Sequence, residues 1–150
     1  YSNNLYSVNP DTGAATLIGP TGIPPIISPL YASSLSGDCT NLFFTIDEVD
    51  QNFNPLVPPT LYRIDPRTAA ATLVGPTEGL MPGSGFLDGS LYGFRIDEKL
   101  LYGGTRLPKV FRIDTATGAA IAIADLNVPL VGGAVSTNNG GVGHCKAERK

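Results

Sequence analysis

The sequence predicts an all-β chain assembled from β-propeller blades, four-stranded antiparallel units stacked face to face. Three observations carry that reading: an internal repeat with a period near fifty residues, turn residues at fixed places in each copy, and short apolar runs without helical periodicity. Leu5 to Thr21, LYSVNPDTGAATLIGPT, and Leu61 to Thr77, LYRIDPRTAAATLVGPT, are identical at eleven of seventeen positions at an offset of 56. A third copy, VFRIDTATGAAIAIADL from Val110 to Leu126, follows at an offset of 49 and keeps the Arg-Ile-Asp core, the Thr and the paired alanines.

Each copy is an apolar run, a polar interruption and a second apolar run, the pattern of a hairpin. Asn9, Asp65 and Asp114 stand where a side-chain oxygen can accept a backbone N–H, Pro10 and Pro66 preset φ for the turn, and Gly13 and Gly118 suit a left-handed position. Ala69 replaces that glycine in the second copy and is expected to be strained there. Between copies lies a second hairpin's worth of strand signals. In the first full unit these are a strand from about Ser28 to Leu35, a turn at Ser36-Gly37-Asp38, a strand from Leu42 to Ile46 and a long loop from Asp47 to Pro59. In the next unit they are Gly85 to Leu87, a turn at Asp88-Gly89, a strand from Leu91 to Ile96 and a loop to Pro108, with Ile46-Asp47-Glu48 matched to Ile96-Asp97-Glu98.

One domain spanning 1–150 is therefore expected to divide into the outer hairpin of a blade (1–22), a blade (23–78), a second blade (79–126), and an inner strand near Val131 to Ser136 with a tail (127–150). Runs such as LFFTI and AAIAIA lack strict alternation, as strands covered on both faces do. A β-sandwich is the structural alternative. The total is about three blade equivalents, fewer than the roughly four to eight that close a ring, so a partial propeller is expected. It would be completed by further units of a longer protein, the preferred reading, or by a second copy. The start at Tyr1, without Met, basic n-region or apolar h-region, fits a processed chain or a piece.

Composition narrows the function. A net charge of -3 with 15% charged residues offers no basic footprint for nucleic acid. The most apolar stretch, Gly118 to Val135, is broken by Asp125, Asn127 and Pro129, so no continuous apolar helix spans a membrane. Few charges and 18 glycines suit an extracellular or cell-surface protein. The two cysteines, Cys39 and Cys145, allow one disulfide and offer no metal-site spacing.

The LYRIDPRTAAATLVGPT copies resemble repeats of bacterial secreted or surface β-propeller proteins, of the kind classed as domains of unknown function. The resemblance covers nearly the whole chain and implies architecture without an activity. Quinone-cofactor propellers place Trp after a turn like Asp114 to Gly118, and this chain has none.

Chemistry-bearing residues are sparse. His144 and Cys145 adjoin in the tail with no third group to orient them, so an ordinary tail is expected. Asp47, Glu48 and Asp50, with Asp97 and Glu98, are the candidate ligand-facing loop residues. Oxygen-rich loops of this kind could take Ca²⁺, but the spacing lacks a calcium-loop pattern, so solvated turns are the expectation and no cofactor is called for. Arg63, Arg112 and Arg95 are expected to pair with nearby carboxylates. Tyr6, Tyr62, Phe111, Tyr92 and Phe43 are expected to pack between blades. The leading functional expectation is a non-catalytic module serving as a scaffold or as a binding surface for a protein or small ligand. The alternatives are a segment of a propeller lyase or hydrolase with catalytic groups elsewhere, and a self-assembling blade array.

Overall fold

A computed structural model describes residues 3–52, 54–96 and 107–127, and every regular element among them is a β-strand. A two-stranded hairpin, β1 (Asn4–Val8) and β2 (Ala15–Pro20), is followed by two four-stranded meanders. The first holds β3 (Leu30–Gly37), β4 (Leu42–Val49), β5 (Thr60–Ile64) and β6 (Ala71–Pro76); the second holds β7 (Gly83–Leu87), β8 (Ser90–Arg95), β9 (Lys109–Ile113) and β10 (Ala120–Asp125). All pairings are antiparallel and each sheet runs in chain order, so these are blades rather than the crossed connections of a sandwich. We call the hairpin unit 1 and the blades units 2 and 3.

The three hairpins of the repeat close on one design. Asn9 Oδ1 accepts from the N–H groups of Asp11 and Thr12 (2.8 and 3.1 Å), Asp65 Oδ1 from Arg67 (2.8 Å) and Asp114 Oδ1 from Ala116 (2.7 Å). The fifth turn residue then donates back to the carbonyl of the first: Gly13 to Asn9, Ala69 to Asp65 and Gly118 to Asp114, at 2.8 to 2.9 Å. That residue is left-handed in every copy, with φ of 71°, 65° and 83°. Ala69 therefore carries the strain expected of a Cβ there. Each outer strand also carries a bulge at the same place, at Ile18, Val74 and Ile123.

Between units 2 and 3 lies a core of Phe43, Leu61, Met81, Leu91, Phe111 and Ile113, with the Phe43 and Phe86 rings tilted at 5.5 Å. Between units 1 and 2 lies a smaller one of Leu5, Ile23, Ile64 and Ala69. The innermost strands of the two blades meet through a hydrogen bond between the Ser36 and Ser84 hydroxyls at 2.5 Å. Small polar residues there let the strands approach.

Several boundaries differ from the sequence reading. β3 starts at Leu30 because the Ser28 hydroxyl, instead of extending the strand, accepts from Leu30 N–H and donates to the Val49 carbonyl. The turn after it is Asp38 to Asn41, where Asp38 Oδ1 accepts two N–H groups and Cys39 takes φ 78°. β4 continues through Asp47 and Glu48 to Val49, so neither acid is a loop residue. Register pairs Leu42 with Ile64 and Leu91 with Ile113, which sets Ile46 level with Arg95 and Asp47 level with Ile96, one residue from the match drawn by sequence. Tyr6 is exposed, against the expectation of packing, because no unit lies on its outer side among the described residues. The expected inner strand at Val131 to Ser136 lies outside those residues.

Candidate functional site

Both acids at the end of β4 are buried, and both bind backbone. Glu48 Oε2 accepts from Ile27 and Ser28 N–H (2.8 and 3.0 Å), holding the β2–β3 connection against the blade. Asp47 Oδ2 accepts from Leu80 N–H at 3.0 Å, tying unit 2 to the strand connection that opens unit 3. A Cβ on neighbouring Gly79 would lie 2.5 Å from that same oxygen, so only glycine lets the carboxylate in. Leu80, at φ 54°, is bent into a strained conformation that presents its N–H, and its carbonyl accepts from Ile96 N–H.

Arg95 completes this junction from the unit 3 side. Its Nε and Nη2 donate to the Leu107 carbonyl (3.1 and 3.0 Å), Nη1 meets Glu78 Oε1 at 3.2 Å, and the guanidinium lies 5.2 Å from the Phe111 ring centre. The expected carboxylate partner is thus found for Arg95, whereas Arg63 and Arg112 sit exposed near the turn ends of β5 and β9. The sequence places Arg63 and Arg112 on equivalent strands and Arg95 on a neighbouring one, with the same expectation of a carboxylate partner for all three; the register adds that Arg95 stands level with Ile46 of blade 2.

Asp50, the acid just beyond β4, is only partly buried. Its carboxylate accepts from the N–H groups of Asn54 and Asn52, and the Asn54 N–H above all holds its carboxyl below the ordinary value. The turn acids Asp65 and Asp114 are lowered in the same way, chiefly by the N–H groups of Arg67 and Ala116. Asp97, Glu98, His144 and Cys145 lie outside the described residues. Cys39 is disulfide-bonded. No group of three His, Cys, Asp or Glu side chains among the described residues is arranged to hold a metal.

Beside Glu48 an open groove of about 440 Å³ runs across the unit 1 side of blade 2. Ile46, Tyr62 and Leu73 line it with Ile23 and Pro24 of the β2–β3 connection and Val57 and Pro58 of the β4–β5 loop; Glu48 is its one charged residue. The register makes Tyr62 and Leu73 direct neighbours across β5 and β6. A second depression of about 360 Å³ at the turn end of blade 3 is lined by Arg112, Asp114 and Thr115, but the Asp114 carboxylate there is already engaged by its own turn.

The fold and these surfaces define an all-β protein of stacked blades with an apolar groove on one of them. Comparison with protein-family models and with characterised proteins gives no match to this chain. No helix among the described residues is long and apolar enough to cross a membrane.

Proposed function

We propose that this chain is a non-catalytic blade module, a scaffold that binds an apolar segment of a partner along the groove beneath Tyr62 and Leu73. One observation carries the reading. The buried charged groups Glu48 and Arg95 direct their hydrogen bonds to backbone and, for Arg95, to Glu78 as well, while the accessible recess beside Glu48 is walled by aliphatic side chains, Tyr62 and prolines. Such a lining recognises apolar surface and has no group poised for proton transfer or attack. The same proposal sets the module in an extracellular or cell-surface location, an oxidising setting in which the Cys39 disulfide persists.

The amphiphilic dye 8-anilinonaphthalene-1-sulfonate tests the groove. Its fluorescence is expected to rise on binding the folded chain, and Leu73→Asp to weaken that binding about tenfold or more, the effect of losing one large apolar contact in a groove. Dye binding that is absent, or indifferent to Leu73→Asp, would overturn the proposal.

A further inference from the structure

The face of the β1–β2 hairpin that points away from blade 2 has two counterparts in the chain, and both are covered. Register aligns Val8 and Gly13 with Ile64 and Ala69 of unit 2, and with Ile113 and Gly118 of unit 3. Ile64 is 2% exposed and Ile113 3%, because the preceding unit packs on them; Val8 is 61% exposed. At the other end of the stack, Ile123 and Ala124 stand where Val74 and Gly75 receive blade 3. Val74 packs against the core between the blades, while Ile123 is 51% exposed. One end therefore displays the surface that seats on a preceding unit, and the other the surface that receives a following one.

We propose that a second copy of this chain docks head to tail, its β1–β2 hairpin seated on the outer face of blade 3, repeating between chains the contact made twice within one. The steric match supports that occupant. Where the seated residue is Ala69, the contact holds one methyl, and a Cβ on Gly19 would meet it at an ordinary van der Waals distance, 3.5 Å from the Ala69 Cβ. Where it is Gly118 there are no methyls, and the backbones close up. Gly13 on Ala124 would again bring one methyl, the spacing of the looser contact. The surfaces differ at the two ends, so copies join as a closed ring or an open chain. Leu73 takes no part, which keeps this inference separable from the groove.

Analytical ultracentrifugation of the full chain across a wide concentration range tests it. The wild type is expected to show species above monomer mass that grow with concentration. Val8→Asp blunts the head and Ile123→Asp the tail; both side chains are exposed, so each variant is expected to keep a cooperative melt and to sediment as monomer. An equimolar mixture of the two is expected to recover a dimer and nothing larger, since one sound head meets one sound tail. A wild type that stays monomeric, association that survives either substitution, or a mixture that stays monomeric would each overturn the proposal.

Discussion

Units 1 and 2 meet through the same motif as units 2 and 3, yet the second contact is much closer. In both, the turn of the later unit rests on the Gly-Pro that ends the outer strand before it: Thr68-Ala69 on Gly19, and Thr117-Gly118 on Gly75. A Cβ on Gly75 would overlap the Thr117 carbonyl, and one on Gly118 would lie 2.7 Å from the Pro76 carbonyl oxygen. A Cβ on Gly19 would find only ordinary contact, 3.4 Å from the Thr68 carbonyl oxygen. The difference follows from a single methyl. Ala69 holds its unit off, whereas glycine at the same left-handed position lets two backbones touch; the larger core beside that close contact also draws on Phe43 of β4 and Leu91 of β8, strands without a counterpart in the two-stranded unit 1 among the described residues.

The largest effect is expected from hollowing out the close contact. Leu61 has no exposed surface, and Leu61→Ala is expected to cost about 4 kcal/mol in urea unfolding, against about 2 kcal/mol for Leu5→Ala in the smaller core. Equal losses would mean that the two interfaces contribute alike. Next come the sockets. Gly75→Ala sets a methyl against backbone that has no rotamer to yield, for an expected loss of about 3 kcal/mol, while Gly19→Ala should stay within about 0.5 kcal/mol of wild type. Matching midpoints for the two alanine variants would refute the steric account of the spacing.

The smallest effect concerns the turns that do the seating. The N–H groups that Asp65 and Asp114 accept hold their carboxyls below the ordinary value of 3.8. Their contribution is therefore fully present above that value and lost as pH falls through the lower folded-state values. Unit 1 supplies the control, because Asn9 closes the same turn without titrating. Asp65→Asn with Asp114→Asn should keep the fold at neutral pH and flatten the decline in melting temperature below pH 3.8, read by circular dichroism. An unchanged acid slope would show that these turns do not set it.

What the sequence disclosed follows from where its information is local. A turn of six residues is specified by its own side chains, so Asn9, Asp65 and Asp114, and even the strained Ala69, were legible at once. The acids on β4 were not. Asp47 and Glu48 read as solvated loop residues because charge ordinarily marks the surface, whereas the distant N–H groups of Leu80, Ile27 and Ser28 help make their burial tolerable. Arg95 was hidden for a related reason: its partners Glu78 and the Leu107 carbonyl come from connections outside its strand. The groove was missed because it is assembled from Pro24, Val57 and Leu73, residues far apart in the chain that carry no motif.

The bulges at Ile18, Val74 and Ile123 bear on how this molecule can enlarge. Addition of a strand to a sheet margin needs an unbroken ladder of donors and acceptors, and a bulge throws that ladder out of step. Pro20 and Pro76, at the ends of two of those outer strands, withhold a donor as well. The outer rims of the units are thus poor templates for sideways growth, while the faces remain receptive. Repetition in such a chain runs in one dimension, along the stack, and the same irregularity guards each outer rim against the lateral pairing that begins an amyloid fibre.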